Sequence, residues 1–338
     1  MEANKEIAVG EVSACSVYMV RSQPQKGQPF FTVFVPTYNR AATLPRLLDS
    51  LVRQTFTDFE LLIVDDGSTD ETQEILYDFE KHASIKVRCL RQHNQGRHIA
   101  FNKALDEAKG FLFTTLNSDD TLAENALERF YYWWHIAIEK FSQGINGVEA
   151  LCADMNTHRV IGTLFPQSPM VADHIEVYYK LGCWGDAIRA IRKDIIAKYR
   201  FPQIPNERYI PPSYLWNQLG FDRHKVLYVN EILAFKEYRS DGVTRHRILI
   251  RANNPRGAAL YYHSFLESAM RDGRIPYRLL VRNASNWVRY SLFLHPTISA
   301  ALKHTWRHIP RRDLWFPSVV IGMGLWLRDN LVLRWEGH

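Results

Sequence analysis

Three apolar segments, each followed directly by polar or acidic residues, constrain the fold of this chain more than any other feature. They read FTVFVPTYNR from residue 31, FELLIVDDGSTDET from residue 59 and GFLFTTLNSDD from residue 110. Each predicts a buried β-strand, and the segments between them have helical character. Strands that alternate with helices form a parallel sheet with right-handed crossovers. The polar turns are therefore expected at one sheet edge, where an open α/β sheet binds its ligand.

The helices between these strands have recognisable start signals. Thr43 is expected to cap the first helix, with Pro45 in its first turn, and Ser68 or Thr69 to cap the second. A short strand, IKVRCLRQ, and a third helix, RHIAFNKALDEA, complete the alternation. The sequence therefore predicts an α/β protein with a mixed, mainly parallel sheet that is flanked by helices.

The acidic residues at the strand ends suit a nucleotide ligand. Asp65 and Asp66 can accept hydrogen bonds from the N–H groups of a base and from ribose hydroxyls. Asp119 and Asp120 can hold a divalent cation, since Mg²⁺ prefers carboxylate and phosphate oxygens, and the cation would act as a Lewis acid on a departing diphosphate. The alternative is that these residues only form turns. Three such turns after strands of one sheet favour the ligand site.

From Phe30 to Thr244 the chain resembles family 2 of the inverting glycosyltransferases, which have the GT-A fold. The resemblance rests on VPTYNRAATLPRLLDSLVRQTFTDFELLIVDDGSTDET, NQGRHIAFNKALDEAKG and LNSDD, which occur in the family's order. It implies an enzyme that transfers a sugar from a nucleotide diphosphate sugar to a hydroxyl group. It also implies a nucleoside pocket and a site for the sugar diphosphate with Mn²⁺ or Mg²⁺. The implied residues are Pro36, Thr37, Tyr38, Asp65 and Asp66 for the pocket, and Asp119 and Asp120 for the second site.

One residue of the LNSDD motif departs from the resemblance. Asn117 occupies a position where the family often has aspartate. An amide keeps an acceptor oxygen but carries no charge, so weaker metal binding is expected. Further contacts to the diphosphate are expected from Arg97 and His98, and from Thr244 and Arg245 in SDGVTRH, because an arginine fork fits phosphate oxygens. The alternatives are a solvated helix start for the first pair and a simple turn for the second.

An inverting displacement needs a general base, usually a carboxylate, to take the proton of the acceptor hydroxyl. The resemblance places this base after LNSDD, where two acids compete. Glu207, in FPQIPNERYIPPSYLW, is interpreted as the base, and Asp186, in CWGDAIRAIRKD, is expected to shape the sugar or acceptor pocket. Related sequences often carry a second acid soon after, where this chain has Pro212. Without the resemblance, either acid is better explained as a surface or helix-capping residue.

The net charge of +6 is unevenly distributed along the chain. From Arg245 onward there are fifteen Lys or Arg and five Asp or Glu, against 27 and 31 in the preceding residues. Arg, Lys and Trp interleaved on short amphipathic helices suit an anionic membrane surface, which would place the enzyme beside a lipid-linked acceptor. The alternative is a helical appendage that packs on the catalytic domain or on a second subunit. Nucleic acid is not expected as a partner, because no reading motif for it is present.

These observations predict three regions in the chain. Residues 1–28 form a polar leader, and residues 29–245 form the GT-A domain, with a nucleotide-binding half at 29–120 and an acceptor half at 121–245. Residues 246–338 form a basic, Trp-rich helical region. Four cysteines without paired spacing indicate a reducing compartment. No segment reaches the roughly 18 apolar residues that span a bilayer, so the prediction is a cytoplasmic protein with peripheral membrane contact.

Two rival functions remain open at this point. A sugar nucleotidyltransferase has a related sheet but usually a glycine-rich basic loop after its first strand, whereas this chain has PTYNRAATLP. A non-catalytic scaffold is supported only by Asn117 and Pro212. UDP is the commonest nucleotide in the resemblance, with GDP and dTDP also found. A glycan or polyprenyl-linked acceptor in bacterial surface polysaccharide synthesis is implied by analogy.

Overall fold

The computed structural model describes residues 23–141, 144–238, 246–309 and 311–336. The predicted diphosphate contacts of Thr244 and Arg245, and most of the predicted leader, lie outside these ranges. The described strands are β1 (Phe31–Thr37), β2 (Phe59–Asp65), β3 (Lys86–Arg91), β4 (Leu112–Thr115), β5 (Thr121–Leu122), β6 (Ile145–Asp154), β7 (Met170–Asp173), β8 (Ala187–Arg192) and β9 (Lys225–Lys236). They form one mixed sheet in the order β3-β2-β1-β4-β8-β6-β9-β5, with β7 also paired to β9.

The first half of the sheet is parallel, as the alternation of strands and helices predicts. β1 pairs in parallel with β2 and with β4, and β2 pairs in parallel with β3. Every residue of β1 and β2 is buried, which explains why their sequences are mostly apolar. Because Thr37 is the register partner of Asp65, the turns after these two strands lie side by side at the carboxyl edge.

The second half of the sheet brings distant residues to the same edge. β8 runs antiparallel to both β4 and β6. β9 pairs with the short β5, in which Thr121 is the register partner of Phe235. This register places the end of LNSDD beside the last residue of β9, Lys236.

The described helices are α1 (Leu44–Val52), α2 (Thr72–His82), α3 (Arg97–Glu107), α4 (Ala126–Phe141), α5 (Lys193–Ile196), α6 (Ser213–Phe221), α7 (Arg247–Ala252), α8 (Pro255–Asp272), α9 (Tyr277–Leu294), α10 (Ile298–His308) and α11 (Arg312–Glu336), with a π-helical turn at Glu176–Lys180. Thr43 occupies the N-cap position of α1, but its hydroxyl donates to the carbonyl of Ser118 at 2.9 Å. The predicted cap of α2 is wrong, because Ser68 and Thr69 precede the helix and bond to other loop residues.

Two apolar clusters cover the two faces of the sheet. The first contains the leucines of α1 together with Phe130 and the fully buried Trp134 of α4. The second contains Phe101 of α3 and Leu215 of α6, which pack on β1, β4 and β8. Burying both faces of the sheet in this way is typical of α/β proteins.

The C-terminal helices pack against the α/β part through α8. Phe265 of α8 contacts Phe221 and Tyr179, with ring centroids 5.4 and 4.9 Å apart. Arg274, which follows α8, forms an ion pair with the buried Asp173 of β7 at 2.7 Å. In the part of the chain that the structure describes, no helix is both long enough and apolar enough to cross a membrane.

Candidate functional site

Two adjoining cavities lie at the carboxyl edge of the parallel strands. The outer cavity has a volume of about 640 Å³ and the inner cavity about 460 Å³. They are neighbours rather than separate sites, because six residues line both: Pro36, Arg97, Asn117, Asp186, Tyr209 and Lys236.

The structure gathers most of the residues that were predicted to bind the donor and a metal. The described members of that set that line the outer cavity are Pro36, Thr37, Tyr38, Asp66, Arg97, Asn117, Asp119 and Asp120. Asp186 borders both cavities. Asp65 and Glu207 line neither of the two.

Asp65 shapes the turn after β2 instead of facing the cavity. Its Oδ1 accepts hydrogen bonds from the backbone N–H and the hydroxyl of Ser68, at 2.9 and 2.5 Å. The Ser68 hydroxyl also accepts from the backbone N–H of Asn39, at 2.9 Å, and Asn39 Oδ1 accepts from Thr69 N–H, at 2.8 Å. These bonds join the loops after β1 and β2 into one wall of the outer cavity.

Asp66 organises the loop before α3. Its carboxylate accepts hydrogen bonds from the backbone N–H groups of Gln95 and Gly96, at 2.9 and 2.8 Å. Gly96 has a φ of +93°, and a Cβ atom there would lie 2.0 Å from the carbonyl oxygen of Arg208. The start of α3, with Arg97, is thereby held against the Arg208–Tyr209 segment.

A hydrogen-bonded row of four side chains crosses the junction of the two cavities. Arg97 Nη2 donates to Asn117 Oδ1 at 2.8 Å, and Asn117 Nδ2 donates to Asp120 Oδ2 at 2.7 Å. Lys236 Nζ lies 2.9 Å from the same oxygen. Burial opposes the charge on Lys236, but Asp120 outweighs it and holds the pKa of Lys236 above its ordinary value, so the ammonium is charged at neutral pH.

This row changes what the LNSDD motif can offer a metal ion. Asp120, one of the two predicted metal ligands, is already engaged by Lys236 and by the amide of Asn117. Asp119 is left as the motif's carboxylate without such a partner among the described residues. Within the described ranges no three His, Cys, Asp or Glu side chains are grouped to hold a metal. As arranged here, Asp120 Oδ2 is occupied by a lysine and an amide, so the motif offers a cation less than two unpaired acids would.

The two acids that compete as base have different surroundings. Asp186, the residue before β8, is half-buried between the cavities, and its Oδ2 accepts a hydrogen bond from the Tyr238 hydroxyl at 3.1 Å. Glu207 instead accepts the backbone N–H groups of Arg256 and Gly257, at 2.7 and 2.6 Å, in the first turn of α8. The structure therefore brings Asp186, and not Glu207, to the cavities.

Buried charged and polar residues lie in the wall of the inner cavity. Arg189 forms two bonds to the buried Glu149, at 2.9 and 2.8 Å, and its guanidinium lies 4.4 Å from the ring centroid of Trp216. His98 is 2% exposed, and burial lowers its pKa to about 4. His98 is therefore neutral at pH 7, and the predicted charge contact with a diphosphate is not available to it.

The sequence interpretation missed Lys236, Tyr238 and Arg189. One signal in the sequence could have pointed to Lys236 and Arg189, because each is a charged residue next to apolar residues of a strand. Burying a charge is costly unless it is paired, so such a residue usually has a specific partner.

Comparisons with known proteins agree with this geometry. Residues 32–136 match the family model described as Glycosyl transferase family 2. A PGL/p-HBAD biosynthesis glycosyltransferase of Mycobacterium bovis is 44% identical over 96 residues, which cover 28% of this chain and 38% of that protein. Chondroitin synthase of Escherichia coli is 37% identical over 110 residues, which cover 32% of this chain and 16% of that one.

Two solved structures share the overall fold. Residues 1–349 of Staphylococcus aureus TarS, in complex with UDP, align with a TM-score of 0.54 at 16% identity, covering 91% of this chain and 92% of that one. The mannosyltransferase PcManGT from Pyrobaculum calidifontis, in complex with GDP-Man and Mn²⁺, aligns with a TM-score of 0.53 at 17% identity, covering 88% and 87%. The expected α/β fold of the GT-A type is confirmed. The match to the family model covers residues 32–136, and the chain spans less than two fifths of the length of the two sequence relatives.

Proposed function

We propose that this protein is an inverting glycosyltransferase that moves a sugar from a nucleotide diphosphate sugar to a hydroxyl group of a glycan or lipid-linked acceptor. The observation that carries the proposal is the outer cavity. Most of its lining residues come from the family-matched segment, and it adjoins a second cavity at a half-buried carboxylate, Asp186. A donor site and an acceptor site that meet at a potential base are what a direct displacement requires.

The donor would occupy the outer cavity. Its nucleoside would lie against Thr37 and Tyr38, beside the loop that Asp66 holds. Its diphosphate would lie near Arg97, the first residue of α3, where the positive end of the helix dipole favours an anion. We take UDP as the first nucleotide to test, as in the TarS complex, with GDP and dTDP as alternatives.

The reaction follows from the position of Asp186. Its carboxylate takes the proton of the acceptor hydroxyl while that oxygen attacks the anomeric carbon opposite the diphosphate. The bond from this carbon to the diphosphate oxygen breaks, and the nucleoside diphosphate leaves with the electron pair. Attack from the opposite face inverts the anomeric configuration. The Tyr238 hydroxyl, hydrogen-bonded to Asp186, orients the base.

The C-terminal helices support the further proposal of a peripheral membrane contact. One face of α11 exposes apolar side chains along its length: Phe316, Val320, Leu327 and Leu331. Exposed basic side chains lie near the start of this helix and on α10, among them Lys303, Arg307, Arg311 and Arg312. An apolar helix face beside basic residues suits an anionic lipid surface, as a lipid-linked acceptor in bacterial surface polysaccharide synthesis would require.

Calorimetric titration of UDP, GDP and dTDP, each in EDTA and in Mn²⁺, tests the proposal. We expect one nucleotide to bind and the other two to bind at least about tenfold more weakly. A tenfold difference in Kd corresponds to about 1.4 kcal/mol of binding free energy. The matching nucleotide sugars are then screened for release of the nucleoside diphosphate. A folded protein that binds none of the three in either buffer would contradict the proposed function.

A further inference from the structure

We propose that the ammonium group of Lys236, together with Arg97, neutralises the donor diphosphate, so that nucleotide binding at the outer cavity does not require a divalent cation. The inference rests on the proposed function of this cavity. In this arrangement positively charged side chains of the protein, and not a metal ion bound by LNSDD, balance the negative charge of the diphosphate.

The first step is the position of the ammonium group. Lys236 Nζ lies 2.9 Å from Asp120 Oδ2, one of the two carboxylate oxygens that this residue could offer a cation. The amide nitrogen of Asn117 donates to this same oxygen at 2.7 Å. A cation at this oxygen would have to displace a charged, well-bonded partner. An aspartate at position 117 would instead add a negative charge that attracts a cation. Asn117 and Lys236 therefore both disfavour a divalent cation at this position.

The second step is the reach of Lys236 toward a ligand. Its side chain is 17% exposed, and it lines both cavities. An ammonium group has three N–H donors. Among the described residues, Asp120 accepts a hydrogen bond from one of them. The other donors are available to phosphate oxygens at the junction of the cavities. Lys236 is held there by the pairing of β9 with β6, in which it is the register partner of Asp154, and by the pairing of the preceding residue with β5.

The third step is the charge balance of the outer cavity. Five acids line it, and the charges of two are paired: Asp120 with Lys236, and Glu237 with Arg46 at 2.9 Å. Two others accept hydrogen bonds, Asp66 from backbone N–H groups and Asp186 from the Tyr238 hydroxyl. The arginines in the lining are Arg40, Arg97 and Arg208. Arg97 binds Asn117, so a guanidinium and an ammonium stand at opposite ends of one hydrogen-bonded row. Such groups bind phosphate without a metal.

Titration of UDP into the full chain tests the inference, with EDTA and with Mn²⁺. We expect binding in EDTA, with a dissociation constant within about threefold of the value in Mn²⁺. The Lys236→Met variant should bind UDP in EDTA about tenfold more weakly or worse, because a charge-assisted hydrogen bond is lost. Lys86→Met is the matched control, since Lys86 is exposed at the start of β3. It should bind UDP as the unmodified chain does.

A second variant keeps the test informative if Lys236→Met does not fold. Lys236→Met with Asp120→Asn removes both charges, so no buried carboxylate is left unpaired, and it should show the same loss in EDTA. Two results overturn the inference: UDP binding by the unmodified chain only when Mn²⁺ is present, or full binding in EDTA by the double variant. Failure of UDP, GDP and dTDP in both buffers is a different result, because it overturns the proposed function itself.

Discussion

The carboxylate of Glu207 accepts a hydrogen bond from the backbone N–H of Gly257 at 2.6 Å, in the first turn of α8. The neighbouring N–H of Arg256 donates to its other oxygen at 2.7 Å. The first N–H groups of a helix have no partner within the helix, and a carboxylate there also interacts favourably with the helix dipole. This contact gives Glu207 a structural role that joins the loop after α5 to the C-terminal helices.

The first prediction separates the two candidate bases. Asp186→Asn should lower kcat by about 10² to 10⁴-fold, the range for loss of a general base, while UDP binding persists. Glu207→Gln should instead lower the free energy of unfolding by about 1 kcal/mol through a weakened cap, with turnover per folded molecule nearly retained. Steady-state kinetics and urea unfolding of both variants measure this. Equal losses of kcat in the two variants would contradict the assignment.

The second prediction concerns the close approach of Gly96 to Arg208. In Gly96→Ala the new Cβ would meet the Arg208 carbonyl at 2.0 Å, so the segment that lines the outer cavity must move. We expect the free energy of unfolding to fall by about 2 kcal/mol or more, and UDP binding to weaken. Gly273→Ala is the control, because Gly273 also has a positive φ but has nothing within 4 Å of a built Cβ. Gly273→Ala should lower the free energy of unfolding by about 1 kcal/mol and leave UDP binding unchanged.

The third prediction concerns the buried pair of Glu149 and Arg189. Glu149 is 2% exposed, so Glu149→Gln leaves the Arg189 charge without its partner. We expect a loss of about 3 to 5 kcal/mol in the free energy of unfolding, measured by urea denaturation. The exposed pair of Asp49 and Arg53 gives the comparison: Asp49→Asn should change stability by less than about 0.5 kcal/mol. Similar effects at the two sites would contradict a stabilising role for the Glu149–Arg189 pair.

The fourth prediction is a pH dependence of stability that arises from His98. Its folded-state pKa is lowered to about 4, whereas an unfolded histidine titrates near 6.5. As the pH falls from about 6.5 to about 4, the unfolded chain takes up a proton that the folded chain does not, so the free energy of unfolding decreases. In His98→Phe, the difference in the free energy of unfolding between pH 7 and pH 5 should be smaller by about 2 kcal/mol than in the unmodified chain.

The matched control for this experiment is His93→Gln, because His93 is an exposed histidine in the loop before α3. Urea unfolding of the unmodified chain and both variants at the two pH values gives the comparison. The unmodified curve also contains the buried His174, whose pKa is lowered by burial, so part of the dependence should remain in His98→Phe. A pH dependence in His98→Phe as large as that of the unmodified chain would rule out a contribution from His98.

The fifth prediction tests the exposed face of α11 with lipid vesicles. The chain should float with phosphatidylglycerol vesicles and bind neutral phosphatidylcholine vesicles more weakly, because the surrounding side chains are basic. Val320→Glu should abolish flotation without loss of stability, since Val320 is 74% exposed. Leu164→Glu, at a 58% exposed position in the α/β part, is the control. Concentration-dependent self-association without vesicle binding would favour the packing of two subunits on this face.

Much of the first half of the molecule could be predicted from the sequence. The strands that end at Thr37, Asp65 and Thr115 are mostly apolar, and α1 between the first two has a clear apolar face. Local patterns of this kind depend on residues close together in the chain. Their parallel alternation also predicts that Asp66 and Asp119 reach one edge, and the outer cavity contains both.

Other parts of the site were decided only by the tertiary structure. Lys236 meets Asp120 across 116 positions of sequence, through the pairing of a two-residue strand with β9. The sequence makes Glu207 a candidate base, but in the structure it accepts N–H groups of the first turn of α8, because α8 packs beside its loop. The period of apolar residues specifies which residues are strands and helices, but it does not encode the order and register in which distant elements pair. In this protein, local sequence patterns determine the elements, and long-range packing determines which charged groups meet in the cavities.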